Sequence, residues 1–264
     1  MITFHFSLPS QILHRPVPIT GALPYGLMAN FNALPAVWGL HCAMEDGEFF
    51  FHKLNMGNLV DQYGFAFIAP SLGNGYFINS PYEKQADFLQ LELMPVLQAM
   101  LPLSRLREDN RLLGISMGAF GAAHWALSRP EAFGAVAAIS GVFDASVSPD
   151  ERARKNREQR PLVKLFSDKI MPLLMRDQDG GILPDADIRP LYARAAEAAA
   201  PRFALWYGAE DYLSLPQSTR FAQSCREYGI EVTEHTVPGG HNIAFWQNAV
   251  AEAAAWLMNK ENSL

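Results

Sequence analysis

The chain has 264 residues, of which 49% are hydrophobic and 18% charged, with a formal net charge of −6. That length suits one α/β domain with a sizeable core, and the balance is too apolar for a disordered chain. The acidic excess, with no Lys/Arg cluster to follow a phosphate backbone, argues against nucleic acid as a partner.

Up to Leu23, β-like pieces separated by prolines read as antiparallel edge strands. The N-terminus shows no basic stretch followed by an unbroken apolar run, and no apolar segment reaches the roughly 18 residues needed to span a bilayer. Cys42 and Cys225 stand at no metal-ligand spacing and suit a reducing compartment, so a cytoplasmic protein is expected, without cofactor or metal. Residues 34–40 (LPAVWGL) read as a buried strand, 55–63 as a helix ending near Gly64, and 65–69 as a second buried strand. Residues 84–100 carry a helical period with a kink expected at Pro95. A strand at 111–114 leads to a helix at 119–127, which stops before Arg129-Pro130. Strands follow at 133–139, 203–207 and 231–237, and a helix at 249–258 closes the chain.

Strands alternating with helices imply βαβ units: an α/β fold with a mostly parallel sheet and helices on both faces. Residues 146–200 break that rhythm. Residues 150–160 are charged and helical in composition, 164–175 are amphipathic, 178–181 form a turn, and 192–200 are Ala-rich. Two readings stand: an elaborate crossover, or a cap-like insertion over a site within a single domain spanning 1–264.

The chemistry begins at Gly114-Ile115-Ser116-Met117-Gly118. A Gly-x-Ser-x-Gly pattern alone is a modest signal, but here an apolar strand precedes it and a helical run follows. That context makes Ser116 a candidate nucleophile on a sharp strand-to-helix turn. Gly114 and Gly118 remove side chains that such a turn would bring into collision, and Gly121 is expected to let the helix pack closely on a strand. The helix N-terminus lends positive potential, and the Met117 N–H is a candidate oxyanion donor.

A serine hydroxyl needs a base and the base needs an orienting acid, in the chain order Ser, acid, His for this type of turn. His241 lies in the loop after the 231–237 strand, just before the final helix, and is the candidate base. His124 sits on the helix after the serine and reads as a packed residue, and His235 as a strand-face residue. For the acid, Asp211 directly follows the 203–207 strand, with Asp144 and Glu210 as alternatives. The second oxyanion donor is expected from the loop after the 34–40 strand, with Ala43 first and Cys42 second, His41 ordering that loop. Cys42 lacks the turn a nucleophile would need. Aromatic candidates for the substrate pocket are Phe49, Phe50, Phe51, Tyr76, Phe143 and Trp246, although most large aromatics are core.

Taken together, these segments resemble the putative esterase family of α/β hydrolases, which includes tributyrin esterases, esterase D/S-formylglutathione hydrolases and feruloyl esterases. The resemblance rests on several segments. They are the serine turn with Ala119-Phe120-Gly121-Ala122, Arg129-Pro130-Glu131-Ala132-Phe133, Ile139 to Asp144, Gly208 to Asp211, Gly239 to Trp246, and Pro70 to Tyr76 with its Asn74-Gly75. It covers roughly residues 33–258. Two departures stand out: His41-Cys42 replaces the usual His-Gly, and Gly47 to His52 replaces the usual Asn/Ser-Trp region. The resemblance implies an α/β-hydrolase fold and a serine carboxylesterase acting on short-chain acyl esters through an acyl-enzyme. The rivals are a thioesterase of the S-formylglutathione hydrolase type, a peptidase of the same fold, and a non-catalytic α/β-hydrolase binding module. The expected partner is a small-molecule ester, and the sequence leaves a homo-oligomer open.

Overall fold

The central strand segments of this chain are short and apolar on both faces, and the sheet buries them on both. The computed structural model describes residues 1–27, 33–144 and 181–259, together with 164, 165, 174–177 and 179. Eight strands form one sheet: β1 (Ile2–Ser10), β2 (Arg15–Leu23), β3 (Ala36–Leu40), β4 (Ala66–Pro70), β5 (Asn110–Ile115), β6 (Ala135–Ile139), β7 (Arg202–Gly208) and β8 (Val232–Val237). Their order is β1-β2-β4-β3-β5-β6-β7-β8, parallel from β4 across to β8, with β1 and β2 antiparallel at one edge. The edge prolines fit because β4 pairs only with residues 19–22 of β2, leaving Pro16 and Pro18 beyond its reach. Pro35 likewise delays β3, which begins at Ala36 rather than at 34, while Leu34 makes an isolated bridge to Leu103.

Alternation along the strands separates two cores. On one face Trp38, Leu40, Ile68, Leu112, Val136, Phe203 and Leu205 pack together; on the other, Val37, Phe67, Leu113, Ile115, Ile139 and Trp206 do so. The second face is covered by α1 (Phe49–His52), α2 (Met56–Tyr63) and the closing helix α8 (Ile243–Met258). The first is covered by α3 (Gln85–Asp87), a π-helical turn (Phe88–Leu93), α4 (Met94–Met100), α5 (Met117–Ser128), α6 (Arg189–Glu197) and α7 (Leu215–Glu227). Helix α2 ends, as expected, on Gly64, whose φ of 70° is the left-handed cap.

The kink expected at Pro95 takes a different form. Pro95 removes a helical donor and crowds the carbonyl of Leu91, and the irregularity is a widened turn just before it, where the Met94 N–H donates to Leu89 O. Helix α7 was not expected from the sequence, α8 begins six residues earlier than expected, and the helix expected at 192–200 is α6 at 189–197. Of the segment 146–200, read as a crossover or a cap, residues 146–163, 166–173, 178 and 180 lie outside the described residues.

Candidate active site

β5 runs straight into Ser116, whose N–H still donates to Ile139 O at 2.8 Å, so the sheet extends up to this residue. The backbone then reverses: Ser116 has φ 55° and ψ −111°, a strained conformation for any residue with a side chain, and α5 starts at Met117. So tight a turn needs glycine on either side. A Cβ on Gly114 would lie 2.1 Å from Gly118 O, and one on Gly118 would lie 1.9 Å from Leu40 O. Both obstacles are backbone, which cannot rotate away. Gly118→Ala is therefore expected to destabilise the fold by about 1–3 kcal/mol, read from urea unfolding midpoints. A midpoint equal to wild type would show that this contact is not tight. The close packing expected at Gly121 occurs against the Phe77 ring, not against a strand.

His241 stands in the loop between β8 and α8, one residue before the N-cap Asn242, whose side chain accepts from the Phe245 N–H at 3.0 Å. Its Nε2 lies 2.9 Å from Ser116 Oγ, and its Nδ1 lies 3.0 and 3.2 Å from the two carboxylate oxygens of Asp211. Asp211 is fully buried in the turn after β7 and also accepts from the Ser214 N–H at 3.0 Å. The loops carrying Asp211 and His241 are laced together: Ala209 N–H donates to Val237 O and Glu210 N–H to Gly239 O, both at 2.9 Å. Burial acts to raise the Asp211 pKa, but the charge and hydrogen bond of His241, with the donors of Ser214, outweigh it and hold the carboxyl below the ordinary carboxylate range.

The alternative acids have other contacts. Glu210 accepts from the Gly239 N–H at 2.6 Å, bracing the histidine loop from outside. The Asp144 carboxylate lies 3.6 Å from Arg220, and its N–H donates to Gln217. His124 is buried on α5 beside Phe120, and the His235 ring stacks on Trp206 at 4.6 Å, so both are packing residues as expected.

The loop after β3 is fastened by His41. This imidazole is fully buried; its Nδ1–H donates to Cys42 O at 2.9 Å and its Nε2 accepts from the Leu72 N–H at 3.3 Å. Burial lowers its pKa against the opposing pull of the Cys42 carbonyl and of Asp46 and Glu45, which suits the neutral ring those two bonds require. A second tie holds the same loop, the Met44 N–H donating to Asn74 Oδ1 at 2.7 Å. Ala43 lies between the two fastenings and is half-buried. Burial pushes the Cys42 thiol up to about 12, which leaves it a poor nucleophile. At the other loop, Met117 is the first residue of α5, a position whose N–H has no acceptor within its own helix.

Among the aromatic candidates, Trp246 touches His241: its ring meets the imidazole edge-to-face at 5.2 Å. Tyr76 is buried against Phe120, and Phe143 stacks on Phe221 at 4.1 Å, so both sit within the first core. Phe49, Phe50 and Phe51 belong to the second core or pack against it. Among the described residues, no group of three His, Cys, Asp or Glu side chains is arranged to hold a metal ion, and no helix is long and apolar enough to cross a membrane.

Comparison with known proteins agrees with this architecture. Residues 74–179 match the family described as "Putative esterase", a segment that contains Ser116 and ends before Asp211 and His241. An acetyl esterase of Caldicellulosiruptor saccharolyticus is 23% identical over 207 residues, covering 74% of this chain and 73% of that protein. Among solved structures, the fluorophosphonate-binding serine hydrolase FphF of Staphylococcus aureus superimposes with a TM-score of 0.78 at 20% identity, over 98% of this chain and 99% of its own. The S-formylglutathione hydrolase FrmB of Staphylococcus aureus superimposes with a TM-score of 0.75 at 19% identity, over 98% and 100%. The chain shares its fold with these hydrolases, and its residues 74–179 are similar to the putative esterase family.

Proposed function

We propose that this chain hydrolyses short-chain acyl esters by two-step acyl transfer on Ser116. The observation that carries this reading is the unbroken hydrogen-bonded line from Ser116 Oγ through His241 to the buried Asp211, on a turn that sets the serine at the head of a helix. His241 takes the serine proton as Oγ attacks the ester carbonyl. Asp211 holds the imidazole with its proton on Nδ1 and stabilises the cation that forms. The Met117 amide, with that of Ala43 or Cys42, binds the oxyanion of the tetrahedral intermediate. His241 then protonates the departing alcohol and activates the water that releases the acyl group. The same residues need no cofactor for any of these steps.

A short acyl group is favoured by the resemblance to tributyrin-type esterases and by the similarity to an acetyl esterase. A p-nitrophenyl ester panel from acetyl to palmitoyl, run beside a thioester of the same acyl group, tests it. The highest kcat/KM is expected on acetyl to butyryl oxygen esters, and a fluorophosphonate probe is expected to label Ser116. Preference for long chains would contradict the short-acyl reading, preference for the thioester would move the assignment to a thioesterase, and a failure to label would remove the serine hydrolase altogether.

A further inference from the structure

Two neighbouring parallel strands end in left-handed serines: Ser116 after β5 with φ 55°, and Ser140 after β6 with φ 49°. The nucleophile turn accounts for the first. Ser140 is fully buried, and its N–H remains in the sheet, donating to Trp206 O at 2.7 Å. A glycine would hold this backbone without strain. What glycine would lack is the hydroxyl, and the hydroxyl has a partner: the Trp246 Nε1–H donates to Ser140 Oγ at 3.1 Å.

Trp246 is in the first turn of α8, five positions after His241. One side of its ring meets His241 at 5.2 Å with the planes 84° apart, and it also contacts Phe49 at 6.1 Å and 75°. The hydrogen bonds to Ser116 and Asp211 hold the imidazole at its two nitrogens. The Cβ–Cγ bond ties the ring at a third point off that line, and rotation about this bond is what carries the Nε2 lone pair out of alignment with the serine hydroxyl. The indole packs edge-to-face on the imidazole and narrows that rotation, which it does only if the indole is itself held.

We infer that Ser140 is a positioning residue which, through Trp246, narrows the rotation of the His241 imidazole about its Cβ–Cγ bond. This rests on the proposed roles of Ser116, His241 and Asp211, and it assigns Trp246 to orienting the base rather than to contacting substrate.

Ser140→Ala and Trp246→Phe each remove one half of the hydrogen bond and keep most of the packing. Each is expected to lower kcat on p-nitrophenyl acetate about tenfold with KM within about twofold, and to slow fluorophosphonate labelling of Ser116 in parallel. The double variant is expected to be no slower than the slower single one, because both act through the same bond. The downfield Nδ1 proton resonance of His241 is expected to shift or broaden in both single variants. A purely structural role would lower the unfolding midpoint and leave kcat of the folded protein unchanged, which would overturn the inference. So would multiplicative losses in the double variant, or a loss confined to KM. Should Ser140→Ala not fold, Trp246→Phe carries the same test. If wild type is neither labelled nor active, the proposed function fails on its own. The Nδ1 resonance then decides the inference alone, and a resonance unmoved by Trp246→Phe overturns it.

Discussion

Ser116→Ala is expected to lower kcat toward p-nitrophenyl acetate by about a millionfold, with fluorophosphonate labelling abolished. The size follows from the proposed reaction, in which Oγ is the atom that bonds the acyl group, so its removal takes away the nucleophile itself. Water activated by His241 would remain, so a residual rate of about 10³ to 10⁴ over the uncatalysed reaction is expected from the oxyanion donors and substrate binding. Stability should change little. Alanine loses one partly buried hydrogen bond to His241, worth about 1 kcal/mol, and keeps the strained backbone because it too carries a Cβ. His241→Ala is expected to cost nearly as much as Ser116→Ala, and the pair together no more than either alone, since each is useless without the other. Single-turnover kinetics on the purified variants measure this. Retention of more than a hundredth of wild-type kcat in Ser116→Ala would remove Ser116 from the chemistry.

Much of this site is legible in the sequence because its physical demands fall on few positions. The serine turn forces glycine at 114 and 118, and the strands on either side are apolar runs with clear ends. His241 and Asp211 each follow a strand, where an α/β fold presents its loops. Other features leave weaker marks. Helix α7 buries Gln217 and Ser218 beside Phe221, Ala222 and Cys225, so two of its five buried residues are polar and the apolar stripe that would announce it is interrupted. Its signals were local ones, Ser214 followed by Pro216 at the helix start. The early start of α8 was readable in Asn242 as a helix cap, but the apolar period becomes plain only from Ala249. The choice of Asp211 over Glu210 lies beyond any single-sequence pattern, because it depends on which of two adjacent side chains turns inward. Glu210 instead grips the Gly239 amide, a contact set by the pairing of β7 with β8. In the sequence Trp246 is a pocket candidate and Ser140 only the end of a strand, and nothing links them until their separation of 106 positions is closed by the fold.

Asp211→Asn is expected to lower kcat about ten-thousandfold while leaving KM close to wild type. The amide is nearly the same shape, so the loss isolates charge and proton placement. With its nitrogen turned toward His241 Nδ1, the asparagine would donate where a carboxylate accepts, placing the imidazole proton on Nε2, where it cannot receive the serine proton. With its oxygen turned there, the tautomer is kept but the imidazolium formed during attack loses its counter-charge. The same variant carries a linkage signature. Asp211's folded pKa lies below that of an unfolded aspartate, near 3.9, so its carboxylate stabilises the fold fully above that value and progressively less as pH falls through it. The asparagine variant has no such group to protonate. The difference in unfolding free energy between wild type and variant, measured in urea, should therefore be constant near neutrality and move against wild type as pH drops below about 5. A difference that stays flat down to pH 3 would mean that Asp211 is not held ionised by His241 and Ser214. A kcat within tenfold of wild type would mean that another group orients the base.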